Sequence, residues 1–384
     1  MARGNNSSAI LACVGMLVVQ FSFGGYSAVC SYFKSEMPNP VVFSMFRDLS
    51  TFPILLAGAA IFEGLVFPSL GDLKMLFAFG LIGMYGNQVL FILGLFEAGG
   101  DLASIMQPMI PVITTVLAIV SGTEPFPVLC NREGMKGKNM VLAGWMKVFG
   151  IFLVTVGGII ISVFSGKHTG VSGGNRMLGI WMLLGNCCCC SVYILLQKRY
   201  VYEADSKLGN KWKNVPINLT AWTYCFGAIC MGCHSLCLVW IEPDAFKLNP
   251  TFVYPLLYAA FLSSGLAYAL ISIANRRLPS SIVTAFWPVQ VPVSVVLNFY
   301  INAQQISIMQ GFGGILIAAA LLLVCYSNHL LEHGQGARVS GADQLPDTGG
   351  LLNQISEQDV FDDYERTPRT SSSDRAQNVY DRLW

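Results

Sequence analysis

The chain has 384 residues, of which 54% are hydrophobic and only 12% charged, and its mean hydropathy is +0.56. A soluble domain of that size must keep a substantially polar exterior, and a disordered chain needs far less grease, so composition excludes both. A net charge of +1 gives no electrostatic footprint for nucleic acid. What is left is an integral membrane protein.

Ten apolar runs of about 20 residues follow one another, separated by short polar breaks. In chain order they are 9–30, 41–62, 73–95, 102–121, 143–164, 177–196, 217–241, 252–273, 280–300 and 307–326. None shows the polar alternation of an outer-membrane strand, so all ten are expected as transmembrane helices. The first run has no small-residue cleavage site after a short apolar core and reads as a retained span.

Basic residues orient the spans. With the N-terminus in the cytosol, thirteen lysines and arginines fall inside and four fall outside, namely Lys34, Lys167, Arg176 and Lys247. That is the positive-inside asymmetry, and an even number of spans returns the C-terminus to the cytosol. Residues 1–8 then form a short cytosolic N-terminus, 9–164 a first half and 177–326 a second. Beyond Tyr326 the composition changes, and from Leu331 to Trp384 ten residues are acidic and five basic. Residues 327–384 are expected to be a disordered acidic cytosolic tail.

The two halves resemble each other. Phe96-Glu-Ala-Gly-Gly-Asp-Leu-Ala-Ser-Ile-Met-Gln-Pro108 aligns without gaps to Arg276-Arg-Leu-Pro-Ser-Ser-Ile-Val-Thr-Ala-Phe-Trp-Pro288, and a second proline follows each, Pro111 and Pro292. Five spans per half would make the second half enter from the opposite side. Such five-plus-five inverted repeats build secondary transporters, whose sites lie near the midplane between the halves. Chance likeness of two apolar helices is the alternative, and the paired prolines favour duplication.

Three stretches carry a family resemblance: Pro40-Val-Val-Phe-Ser-Met-Phe-Arg47, Ala103-Ser-Ile-Met-Gln-Pro-Met-Ile-Pro111, and Arg47 through Glu63 with Pro53 and the closing Phe62-Glu63-Gly64. The chain resembles the EamA-like members of the drug/metabolite transporter superfamily over roughly residues 9–326. It looks closest to the plant nodulin-like branch of amino-acid and auxin exporters. The resemblance implies ten helices in a five-plus-five arrangement and a central cavity lined by the first, third, fourth, eighth and ninth.

Polar groups inside those spans need internal partners or water. Gln20, Asn87, Gln88, Gln107 and Gln290, with Tyr85 and Tyr268 beside them, are candidates to line the cavity, because an amide offers a polar solute both a donor and an acceptor. Taken singly, each is equally readable as glue between helices. Arg47 either attracts a carboxylate or anchors its helix near the headgroups, with the second preferred. Asp48 is the proton-coupling candidate. Pro108, Pro111, Pro288 and Pro292 are expected to kink their helices and free backbone carbonyls. Trp287 either stacks on a solute or fills core. Glu97 and Asp101 are expected in a solvated connection.

Other features are weaker. Cys187 to Cys190 invites a metal reading, but only Cys187 and Cys190 share a helix side and the spacing is not that of a zinc site. No metal and no cofactor are expected. His234 reads as packing. Leu345-Pro-Asp-Thr-Gly349 matches a sortase pattern with no membrane segment after it. Tyr380-Asp-Arg-Leu383 and Asp347-Thr-Gly-Gly-Leu-Leu352 look like endosomal sorting signals, which would recruit adaptors, and Thr367 and Ser371–Ser373 are candidate phosphorylation sites. The sequons at Asn5, Asn6 and Asn218 fall where no glycan would be added.

The leading reading is a non-ATP secondary transporter of small organic solutes, amino acids among them, in the plasma membrane or an endomembrane. No Walker A sequence and no midplane cluster of His, Asp or Cys point to an enzyme. A nucleotide-sugar or phosphate-ester exchanger of the same superfamily is the first alternative, and a membrane scaffold or receptor the second.

Overall fold

The computed structural model describes residues 2–33, 39–98, 106–124, 138–164, 175–203, 210–247, 249–303 and 307–342. Among them all regular structure is helical, and eight helices are long and apolar enough to cross a membrane. They are α1 (Ala2–Tyr32), α2 (Pro40–Phe62), α3 (Leu70–Leu95), α5 (Lys138–Val163), α6 (Arg176–Gln197), α7 (Pro216–Ile241), α8 (Pro250–Arg277) and α9 (Ser280–Ile301). Two further apolar helices are shorter: α4, Gln107–Val120, and the membrane-like part of α10, Ile308–Val324. The expected fourth span begins at Leu102, outside the described residues. By contacts the chain divides into a body, Met1–Leu331, and a second unit, Glu332–Trp384. The bundle lies in the body.

Local chemistry sets several of the boundaries. Asn39 caps α2, its side chain accepting from Val41 N at 2.9 Å, and Pro40 follows at the first helical position. Ser69 and Asp72 form a capping box at the start of α3. Pro216 opens α7. The last helix differs from expectation: α10 runs on to Ala342, well into the segment expected to be disordered. Leu330 and Leu331 continue its apolar pattern, and the next helix-stopping proline is Pro346.

Among the described residues four helices carry interruptions that form two matching pairs; a further π turn, Lys198–Tyr202, ends α6, and a 3-10 turn, Pro250–Phe252, opens α8. A wide π-helical turn spans Gly80–Gly86 in α3 and Ala259–Leu266 in α8. A tight 3-10 turn spans Gln107–Met109 at the start of α4 and Trp287–Val289 in α9. Each member sits at the spacing of the sequence repeat to within a residue. The tight turns follow from Pro108 and Pro288, which withhold an N–H and crowd the preceding turn.

Helix neighbours repeat the same correspondence. α1 packs on α8 and α9, while α6 packs on α3 and α4; α7 packs on α3, while α2 packs on α8. α2 pairs with α7, and α4 with α9. Adding five to each helix number, and returning to one after ten, maps this set of contacts onto itself. The close approaches rest on small residues. A Cβ on Gly158 of α5 would lie 2.4 Å from Pro108 Cγ and 3.7 Å from Pro288 Cβ, so the two kinks meet on one glycine. One on Gly157 would strike Ile317 of α10 at 2.8 Å, and one on Gly24 of α1 would strike Val293 of α9 at 2.6 Å.

Candidate functional site

Apolar contacts fill most of the body, so its polar interior stands out. Asp48 of α2 is fully buried, and Arg47 beside it is 11% exposed. Their side chains are paired, Arg47 Nε donating to Asp48 Oδ1 at 3.1 Å. Adjacent helical residues diverge by about 100°, so this pair forms only because both side chains bend back toward the interior. Arg47 is not a headgroup anchor here. Its guanidinium faces Tyr26 of α1, Tyr224 of α7 and Tyr268 of α8 closely enough to interact with each. Gln88 of α3 also donates to Asp48 Oδ1, at 3.4 Å.

Several atoms of this cluster lack a hydrogen-bond partner among the described residues. They are Arg47 Nη2, Asp48 Oδ2, Gln88 Oε1 and the Tyr224 hydroxyl; both amide atoms of Gln20 on α1 are likewise buried and unpartnered. Buried polar atoms left unmade are destabilising, by about 1–3 kcal/mol each, and each such group requires an explanation.

Aromatic rings wall the cluster. Trp287 of α9 lies against Phe23 of α1 with centroids 6.3 Å apart; Phe23 meets Tyr268 edge-on at 6.1 Å; Tyr268 meets Tyr224 edge-on at 5.4 Å. Gln20 lies one turn before Phe23 on α1. Gln290 is half-buried and resumes α9 after its tight turn.

Asn87 and Gln107 do something different. Asn186 of α6 donates to Asn87 Oδ1 at 2.6 Å and to its carbonyl at 2.8 Å, and accepts from Gln107 Nε2 at 2.8 Å. Three helices are tied by one amide chain, the interhelical glue that each residue singly allowed. Asn186 was missed in the sequence, where it sits one position before the cysteine run. Tyr85 reaches His234 Nδ1 at 3.4 Å, beside the cluster rather than in it. Pro108 and Pro111 are buried, their carbonyls accepting from Thr155 and Thr115, and Pro292 rests near Gly314. Cys187 and Cys190 are buried and Cys188 and Cys189 less so.

Cavities open at the bundle ends, away from this interior. One of about 420 Å³ lies beside Asn39, Glu242, Asp244 and Ala245, and one of about 300 Å³ beside Glu63, Asn214, Arg276 and Arg277. Carboxylates bolt the second end. Glu63 accepts from Ile217 N, Asn218 N and the Asn218 side chain at 2.9–3.1 Å, capping α7. That also buries Asn218, the third sequon. Glu124, after α4, accepts from Lys147 of α5 at 2.8 Å and from the backbone and hydroxyl of Ser281 in α9. Burial pushes the Glu124 carboxyl up, but Lys147 and Ser281 outweigh it and hold it below the ordinary carboxylate range. Glu97 lies in the helical stretch Asn87–Ala98 that carries α3 past Leu95, and accepts from Asn175 N at 2.7 Å, so it is not a loop residue; Asp101 lies outside the described residues.

A multi-pass helical bundle with paired breaks around a buried polar cluster is a membrane protein of the transporter class. Residues 177–326 match the EamA-like transporter family. A WAT1-related protein of Arabidopsis thaliana is 25% identical, the match covering 86% of this chain and 85% of that protein. Protein WALLS ARE THIN 1 of the same plant is 24% identical over 82% of each. An uncharacterized transporter of Bacillus subtilis, YyaM, is 23% identical over 63% of this chain and 70% of its own. A solved crystal structure with 13% identity superposes at a TM-score of 0.59, covering 83% of this chain and 99% of its own, and shares the fold. The EamA-like match thus falls on residues 177–326, and over most of its length the chain is similar to the plant WAT1-related proteins.

Proposed function

We propose that this protein is a secondary transporter carrying small organic solutes, amino acids first among the classes to try, by alternating access between two inverted five-helix halves. α4 and α10 complete ten spans in this reading. The observation that carries it is the buried cluster of Arg47, Asp48 and Gln88, polar atoms unmatched, where α2 and α3 meet Tyr26 of α1, Tyr224 of α7 and Tyr268 of α8. Helices from both halves contribute, as a site reached from alternate sides requires. The matched breaks of α3 with α8 and α4 with α9 support the repeat.

Gln20, Arg47 and Gln88 are the contacts we assign to solute, with Tyr268 and Trp287 as its apolar wall and Gln290 at the edge. Asn87 and Gln107 hold α3, α4 and α6 around it. A phosphate-ester exchanger is less well supported, because Arg276 and Arg277 are engaged with Asn214 and the Ser8 carbonyl at the bundle end.

The test is counterflow in proteoliposomes with labelled amino acids, organic acids and nucleotide sugars. Saturable amino-acid exchange, abolished by Arg47→Gln and weakened several-fold by Gln290→Ala, is the expected result. Exchange of nucleotide sugars alone, or exchange indifferent to Arg47, would sink this reading.

A further inference from the structure

Among the described residues Arg47 has one charged partner, and that partner is its own neighbour. The ion pair uses Nε on one side and Oδ1 on the other, leaving Nη2 and Oδ2 buried without hydrogen bonds. A well-made internal ion pair would satisfy both. Here the carboxylate holds the guanidinium through Nε alone, Tyr26 of α1 meets it as well, and Nη2 is left without a partner.

We infer that Asp48 is an exchangeable stand-in for a solute carboxylate: the solute's carboxylate takes the Arg47 guanidinium, and Asp48 accepts a proton as it loses that partner, so one proton enters the site with each carboxylate. The step balances. Before binding the site holds Arg47 as a cation and Asp48 as an anion; afterwards it holds the same cation, the solute anion and a neutral carboxylic acid. No bond other than the Asp48 O–H forms, and the proton comes from water. Net charge in the buried cluster stays at zero throughout, which matters because an unpaired charge inside a membrane protein is strongly disfavoured. Gln88 suits both states, since its amide donates to ionised Asp48 and its unpartnered Oε1 is available to accept from a protonated one.

The surroundings leave few other proton sites. Tyr26 and Cys30 face the pair from α1, Tyr224 from α7 and Tyr268 from α8. Phenols and thiols ordinarily titrate well above neutral pH and arginine not at all, so Asp48 is the group whose charge can follow the solute. His234, on α7, is engaged with Tyr85 and serves as the control.

This inference rests on the transporter reading for its biological use, yet binding in detergent tests it separately. The full chain is titrated calorimetrically at neutral pH with acetate, benzoate, glutamine and malate, each in two buffers of different ionisation enthalpy. About one proton taken up per bound carboxylate is expected. Asp48→Asn should still bind, at least tenfold more tightly, with no proton uptake; Arg47→Gln should not bind; His234→Asn should behave as wild type. Benzamide should not bind at all. Binding without proton uptake by the wild type overturns the inference, as does uptake that survives in Asp48→Asn, or no carboxylate binding to protein with an intact melting transition. Proton-linked binding without any counterflow would instead remove the transport reading and leave this one standing. The wild-type measurement decides the matter even where a variant fails to fold.

Discussion

At the scale of single residues, the interior separates side chains that hold helices from those left with work to do. Asn186 belongs to the first kind, since its amide is fully engaged with Asn87 and Gln107. Replacing it by alanine strands two half-buried amides, which should lower stability by about 1–2 kcal/mol. Melting in detergent would measure this, and Gln107→Ala on top of Asn186→Ala should add far less than it does alone, because the bond is already gone. Full additivity would mean the two amides act independently. The sequence marked Asn87 and Gln107 as polar residues in grease but could not distinguish a bridge from a cavity wall. That distinction depends on which face of α6 meets α3 and α4, and no spacing within one helix encodes it. Arg47 was misjudged for a related reason: its position along α2 suited a headgroup anchor, while its partners on α1, α7 and α8 lie far away in sequence.

At the scale of elements, the ends of α4 and α9 are joined by Glu124, and this contact carries a pH signature. Because its partners hold the folded carboxyl below its unfolded value, its contribution to stability is full above the ordinary carboxylate range of about 4.3 and fades as pH falls through the lower folded value. Glu124→Gln leaves Lys147 buried without a countercharge and should cost on the order of 3 kcal/mol at neutral pH. Melting curves of variant and wild type should therefore lie well apart at pH 7 and converge under strongly acid conditions. A gap unchanged across that range would rule out the ion pair as its source. The same elements explain what was legible early. Paired prolines and apolar run lengths are local, so both tight turns could be read from Pro108 and Pro288. The wide turns of α3 and α8 could not, since Gly80–Gly86 and Ala259–Leu266 contain no residue that demands an extra carbonyl per turn. Close packing against neighbouring helices decides them. Gly158 is a sharper test of the kinks: Gly158→Val would drive two methyls toward Pro108 and Pro288, and counterflow should fall at least tenfold in protein that still reaches the membrane.

At the scale of the whole molecule, the corresponding contacts of α1–α4 and α6–α9 let the two bundle ends be compared part by part, and they are not equally fastened. Glu63 follows α2 and caps α7 with four hydrogen bonds; Glu242 follows α7 and touches α2 only through Asn39, at 3.2 Å and exposed to solvent. A carboxylate on the bare N–H groups of a helix start is favoured by both hydrogen bonding and the helix dipole, whereas an exposed contact adds little. The Glu63 end is further fastened by Glu124 with Ser281 and by Lys198 on the Asn275 and Leu278 carbonyls. The Glu63 end is thus the more heavily fastened, against Asn39 with Glu242 and Asn175 with Glu97 at the other, and a cavity lies at each end. In the proposed alternating-access cycle this imbalance would have to reverse. Glu63→Gln should weaken the cap by about 1–3 kcal/mol, so amide exchange at Ile217 and Asn218 should quicken roughly ten- to a hundred-fold, while Glu242→Gln leaves those amides unchanged. Equal effects of the two substitutions would mean that the carboxylates do not bias opposite ends, and the gating role would have to pass to the helices themselves.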